Sequence, residues 1–403
     1  MQLNAGKQRQ VLLAFDKFKH SLTAVEACQI AAETVEESSI FRTGAIRPLC
    51  DGGEGFATIL TSSLQGEILE GFVSGPRGEE VNARFGMVDA GKIPQRAREL
   101  AQLPTRGKIG IVEMAQAAGL EKLPVAQRDP WRTTTYGVGE IISLLADRKP
   151  EAILMGIGGS ATNDLGIGCL AALGLERLDQ NLNKIPVLHP IAFNEIWGFS
   201  GKNLRTIPPL RIACDVTNPL LKENGATAIY GPQKGLSEED LPKMDAALER
   251  VANLLLEAFG KPSDWLEKPG TGAAGGIGFG LSVALGAMLV PGFSLIEAWL
   301  GLPDRLVEAD LVLTGEGRFD RSSLVGKGPA SLAVAAAKAS KPTFIFAGSI
   351  ENSAVAEILR ATGGLAQVIQ ITPGQMDLQT ALQEAPKFLR KSVAKVLAEA
   401  GGA

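Results

Sequence analysis

Imidazole is almost missing from this chain: of 403 residues, only His20 and His189 are histidine. Histidine-centred triads and acid–base pairs have few candidates here, which leaves carboxylates, lysines and backbone groups. Cysteine is nearly as scarce. Cys28, Cys50, Cys169 and Cys214 stand far apart with no C-x-x-C pair. That spacing gives neither a zinc site nor a disulfide framework, and it suits a reducing compartment. No apolar run approaches the roughly 20 residues that span a bilayer, and "MQLNAGKQRQ" lacks the apolar centre of a secretory signal. Net charge is only −4, with no long basic run, so neither nucleic acid nor membrane is expected as a partner. The expectation is a cytoplasmic protein, monomer or homodimer.

What is present suits a substantial folded core: 45% apolar and 21% charged residues in a chain long enough for two or three domains. Strand-like runs alternate with helical segments at both ends. "VLLAF" (11–15) leads to a helix at Thr23, where Glu26 completes capping-box spacing. "AIRPLC" (45–50) precedes "DGGEG" and a helix. "DLVLT" (310–314), "TFIFAG" and "AQVIQI" repeat the pattern, and a terminal helix is expected over 379–399. Residues 69–88 read instead as a hairpin, and 92–108 as a polar surface insertion within it. The middle holds strands at 109–114, 152–157 and 211–215, and a helical stripe from Leu241 to Phe259. This predicts an α/β protein of two domains. A Rossmann-like parallel-sheet domain is built from both chain ends (1–75 and 290–403), with an inserted α/β domain (76–289).

Ligands of open α/β sheets bind beyond the carboxyl ends of the strands. There this chain places Asp16 and Lys19, then Asp51 to Gly55, Glu113, "GGSATND", "CDVTNP", "TGEGRFD" and "GKGP". Each loop alone could be only a turn. The stretch "GIGGSATND" matches G-x-G-x-x-A of a dinucleotide fingerprint, with Glu176 or Asp179 as the distant acid. A helix start delayed to about 164 favours an anion cradle instead. "GTGAAG" (270–275) follows no strand and counts for little. No GK pair precedes Ser or Thr, so the chain has no Walker loop. Phosphoryl transfer would still need backbone donors, a cation, carboxylates for Mg2+ and a group orienting the hydroxyl, and these loops supply all four.

"FDKFKHSLTAVEA", "DGGEG", "GIGGSATND", "ACDVTNPL", "GPQKG", "PGTGAAGG" and "TGEGRFDRSSLVGK" occur in the order found in the bacterial glycerate kinase family, which the chain resembles from about 10 to 385. The resemblance implies ATP- and Mg2+-dependent phosphorylation of D-glycerate, with the 2-phosphate favoured. It also implies a discontinuous flavodoxin-like domain beside one resembling a restriction-endonuclease fold. Two positions depart from the family pattern: Leu165 stands where a glycine is usual, and Ser322 where a glutamine is.

The resemblance assigns candidate catalytic roles to Lys19, Asp51, Glu54, Glu316 and Asp320. Substrate or phosphate contacts fall to Asp16, Ser21, Gly52, Gly53, Gly158, Gly159, Ser160, Thr162, Asn163, Asn218, Lys234, Gly275, Gly276, Gly315, Gly317 and Lys327. Asp215 and Asp164 are the metal candidates. Plainer readings stay open: Lys19 as a solvated lysine, Asp51 as a helix cap, and Glu316 with Asp320 serving either the metal or the hydroxyl. A nicotinamide-dependent oxidoreductase of small hydroxy acids and a non-catalytic glycerate sensor are the alternatives.

Overall fold

The computed structural model of the chain describes residues 8–324, 328–374 and 376–402. Its contacts divide the chain into one unit of residues 1–51 and 296–403 and a second of 52–295. In chain order the strands are β1 (Arg9–Phe15), β2 (Phe41–Ile46), β3 (Glu67–Ser74), β4 (Glu80–Asp89), β5 (Lys108–Glu113), β6 (Ala152–Gly156) and β7 (Glu176–Leu178). They continue as β8 (Lys184–Ile185), β9 (Gly198–Ser200), β10 (Leu210–Ala213), β11 (Met288–Val290), β12 (Leu311–Phe319), β13 (Thr343–Ile350) and β14 (Ala366–Gln370).

The first unit carries a wholly parallel sheet in the order β14-β13-β12-β1-β2. Numbered within the unit this is 2-1-3-4-5, the flavodoxin-like order, with its switch point between β1 and β12. Both faces are covered, which is why its inner strands β1, β12 and β13 carry apolar runs. The helices Ala24–Glu36 and Ala385–Gly401 bury Ala27, Ala31, Val35, Leu389 and Val393 on one side. Gly328–Lys338 and Asn352–Ala361 bury Ala330, Ala333, Ala354 and Ile358 in a separate cluster. Thr23 starts the first helix with the expected capping box: its hydroxyl accepts the Glu26 N–H at 3.2 Å, and the Glu26 carboxylate accepts the Thr23 N–H at 2.8 Å. The expected terminal helix is two, Leu378–Gln383 and Ala385–Gly401. Pro386 lacks the N–H and crowds the preceding turn, so it opens the second helix.

The second unit has a six-stranded mixed sheet, β11-β10-β6-β5-β4-β3, and a small sheet, β8-β7-β9. From β5 to β11 neighbouring strands are parallel; β3, β4 and β5 are antiparallel. The boundaries expected at 75/76 and 289/290 are therefore displaced to 51/52 and 295/296. β3 pairs with β4 along its whole length, so β3 and the helix Phe56–Ser63 before it belong to this sheet. The supposed insertion is also corrected. Residues 92–108 connect β4 to β5 through the helix Gln95–Ala101 and bury Ile93, Ala97, Ala101 and Leu103. Basic residues between these positions mask an apolar stripe of helical spacing.

Among the described residues no helix is long and apolar enough to cross a membrane.

Candidate active site

In the first unit, β1 ends at Phe15, directly opposite Gly315 of β12. The Asp16 N–H donates to the Gly315 carbonyl at 2.9 Å, and the Gly317 N–H donates to the Lys17 carbonyl at 3.3 Å. The turn after β1 thus lies along β12. Gly317 is glycine for that reason: a Cβ would stand 2.9 Å from the Lys19 nitrogen. Gly315 is glycine because a Cβ would meet the Phe346 carbonyl at 2.3 Å. Neither needs a ligand to explain it.

Asp16 is 8% exposed, and its Oδ1 accepts the Lys17 N–H at 2.7 Å. A Cβ on Gly328 would stand 3.4 Å from its other oxygen, so Asp16 lies beside the start of the helix Gly328–Lys338. Lys17, absent from the sequence-based candidates, reaches Asp51 with its Nζ 3.3 Å from Oδ1. The alternation in "DKFK" carries the only signal for it: Lys17 is half-buried where Lys19 is exposed. Asp51 is therefore an ion-pair partner rather than a plain helix cap. Glu316 lies on β12 in register with Ala347. Asp320 accepts the Ser322 N–H at 2.9 Å and its hydroxyl at 2.6 Å, with Arg318 at 3.1 Å. Partial burial opposes its ionisation, yet these partners hold its carboxyl below the usual range. Ser322, the departure from the family pattern, thus serves Asp320. The Ser21 hydroxyl donates to the Leu382 carbonyl at 2.6 Å. Lys327 lies outside the described residues.

In the second unit the glycine loops meet each other. The Gly158 N–H donates to the Gly52 carbonyl at 2.9 Å. A Cβ on Gly156 or Gly158 would strike Gly52 oxygen at 2.5 Å or Gly53 nitrogen at 2.6 Å. Gly159 has φ +71, and a Cβ there would stand 2.3 Å from Glu54 Oε1. A carboxylate thus occupies the space expected for a bound anion. The rest of the supposed cradle is sealed. Ser160 is 7% exposed, while Thr162, Asn163 and Asp164 are fully buried. Only Gly158 and Gly159 of the loop reach solvent.

Asp164 is corrected as a metal ligand. Its carboxylate accepts the N–H and hydroxyl of Thr135, both at 2.8 Å, and the N–H groups of Gly166 and Gly168. Burial still pushes its pKa up. Lys234, expected to meet phosphate charge, is instead buried. It is 1% exposed, and its Nζ donates to the Thr162 carbonyl at 2.6 Å; burial pushes it down to about 7, against the pull of Asp164. Gly275, at φ +72, lets its turn press on the same carbonyl, 2.1 Å from where its Cβ would be. Gly276 faces the buried Leu165 side chain in the same way. Leu165 keeps the left-handed conformation usually given to glycine, at φ 58.

Asn218 is a brace as well: its amide donates to the Asn224 carbonyl at 2.9 Å and accepts the Tyr230 hydroxyl at 2.8 Å. Asp215, beyond β10, accepts the Phe293 N–H at the start of the helix Gly292–Leu300. Among the described residues no three His, Cys, Asp or Glu side chains gather as a metal-holding group. The dinucleotide reading also fails. The helix after β6 starts only at Ile167, and Glu176 is engaged by Lys184 and Asn203. Asp179 accepts the N–H groups of Asn181 and Asn183.

The first unit is thus a flavodoxin-ordered α/β sheet with Asp16, Lys17 and Glu316 at its switch point. The chain matches the glycerate kinase family over residues 11–400. It is 36% identical to the glycerate kinase of Bacillus subtilis (strain 168) over 397 residues, covering 96% of this chain and 97% of that one. It is 37% identical to the glycerate 2-kinase of Escherichia coli (strain K12) over 357 residues, covering 85% and 86%. A crystal structure from Salmonella typhimurium LT2, provisionally named a glycerate kinase 2, superposes with a TM-score of 0.74 at 35% identity. The match covers 98% of this chain and 99% of that one. The chain belongs to the glycerate kinase family, and it is an ATP-dependent kinase.

Proposed function

We propose that this protein transfers the γ-phosphoryl group of ATP to D-glycerate, at the 2-hydroxyl rather than the 3-hydroxyl. The family match over nearly the whole chain carries the substrate, and the similarity to a glycerate 2-kinase favours the regiochemistry. The switch point of the first unit suits the polyphosphate. There Lys17 and Lys19 bring positive charge, and the helix Gly328–Lys338 begins beside Asp16. Mg2+ keeps several waters and takes one or two carboxylates together with substrate phosphates. Asp16, just beyond β1, and Glu316, on the adjacent β12, are hard oxygen donors that fit that demand and would hold it. The ion would neutralise charge on the transferring phosphoryl group.

Glu54, Gly158 and Gly159 are accessible in the second unit's loop pair. We assign them to the acceptor, with Glu54 orienting the hydroxyl. A carboxylate at that spot suits a hydroxyl and repels a phosphate. The test is ADP release with D-glycerate, followed by 31P NMR of the product. A 2-phosphate resonance is expected. A 3-phosphate product overturns the regiochemistry, and glycerate binding without ADP release would make the protein a sensor.

A further inference from the structure

Glu113 ends β5, is fully buried, and has no place yet in the reaction. Its Oε2 accepts the N–H groups of Gly55 and Ala57, both at 3.1 Å, and its Oε1 accepts the Gln116 amide at 2.9 Å. The helix Phe56–Ser63 starts from Gly55 at φ 95, with no side chain of its own to cap it. Glu113 supplies that cap from the neighbouring strand. The turn it grips is the one that carries Glu54 against Gly159.

We propose that Glu113 is a positioning residue of the acceptor site, which fixes the 52–57 turn and with it the placing of Glu54. This rests on the role given above to Glu54. A serine or asparagine on the helix itself would cap it at small cost. A fully buried carboxylate is an expensive substitute, and it places a second negative charge under the accessible one. The charged groups acting on it are Glu54 from the turn and Lys122 from the segment after Gly119, itself within the influence of Glu79. Burial pushes the Glu113 carboxyl up to about 7, and the Glu54 charge adds to the rise.

Glu113→Gln keeps the shape and most acceptor contacts while removing the charge. In the full-length enzyme it is expected to lower kcat by about ten- to a hundredfold with little change in Tm. The loss should fall on kcat with the KM for ATP unchanged, because the turn that holds Glu54 loosens while the groups at the switch point stay in place. In a double-mutant cycle, Glu54→Gln combined with Glu113→Gln should be no worse than Glu54→Gln alone. An unchanged kcat, or losses that multiply, would make Glu113 a structural cap and overturn the proposal. Should Glu113→Gln not fold, Gln116→Ala removes one bond to the same carboxylate and should also lower kcat without changing the KM for ATP; an unchanged kcat overturns the proposal. Amide exchange separates this from the kinase assignment. Exchange at Gly55 and Ala57 should quicken in Glu113→Gln whatever the substrate, and unchanged exchange sinks the brace. A wild type that releases no ADP with glycerate sinks the role of Glu54 instead.

Discussion

Lys234 shows how much a single side chain changes meaning between sequence and structure. In "GPQKG" it reads as a cation for phosphate; folded, it is buried beneath Thr162. Its pKa is pushed down to about 7 from an ordinary 10.5, so between those values the unfolded chain binds a proton that the folded one does not. Stability from this group therefore grows as pH rises above about 7 and is lost as pH falls through it. Lys234→Met removes the titration. The Tm of wild type relative to that variant is expected to rise between pH 7 and 9; a flat difference would mean that the ammonium is solvated. Gly159 behaves in the opposite way, being legible as special but for another reason. A β-branched residue cannot hold φ +71 without strain of about 1–3 kcal/mol, and its Cβ would displace Glu54. Gly159→Val should lower kcat at least tenfold, the scale of a displaced acid or base, while the protein stays folded by circular dichroism. Unchanged kcat would remove Glu54 from the site.

At the scale of elements, the sequence was clearest where apolar pattern and cap agreed. The helix from Thr23, the stripe on Leu241–Ala258 and the strands 11–15 and 152–157 all appear where periodicity put them. Short elements were not legible. β7 to β9 are two or three residues each, too brief for a period to show. Residues 92–108 misled because charge between apolar positions looks like a solvated loop. Ile93, Ala97, Ala101 and Leu103 are buried, and the Arg211 guanidinium donates to the Ala101 carbonyl at 3.0 Å. Replacing 93–103 by a short turn is expected to give insoluble protein or a sharply lower Tm. Ile93→Ala alone should cost about 2–5 kcal/mol in denaturant melts. A loss below about 0.5 kcal/mol, the surface-substitution scale, would restore the loop reading.

At the scale of the whole molecule, the topology selects among ligands. The 2-1-3-4-5 sheet has its switch point where Asp16, Lys17 and Glu316 stand, whereas the G-x-G-x-x-A stretch is consumed by contacts between loops. ATP with Mg2+ is expected to raise Tm; saturation at a hundred times Kd corresponds to about 2.7 kcal/mol. NADH should leave Tm unchanged. A shift with NADH and none with ATP would reverse the assignment of the nucleotide.

The amino-acid sequence by itself determined the alternation of strands and helices, the scarcity of histidine and the ordered motifs of the family. These depend on side-chain periodicity and residue identity, which neighbouring positions express directly. Only the tertiary structure showed which polar residues brace other parts of the chain. "GGSATND" reads the same whether its glycines admit a phosphate or another loop. Asp164 with four donors, Asn218 with both ends engaged and Glu113 under the 52–57 turn acquire their roles from residues far away in the chain. A buried polar group must find its partner wherever the fold brings one, and local spacing carries no record of that.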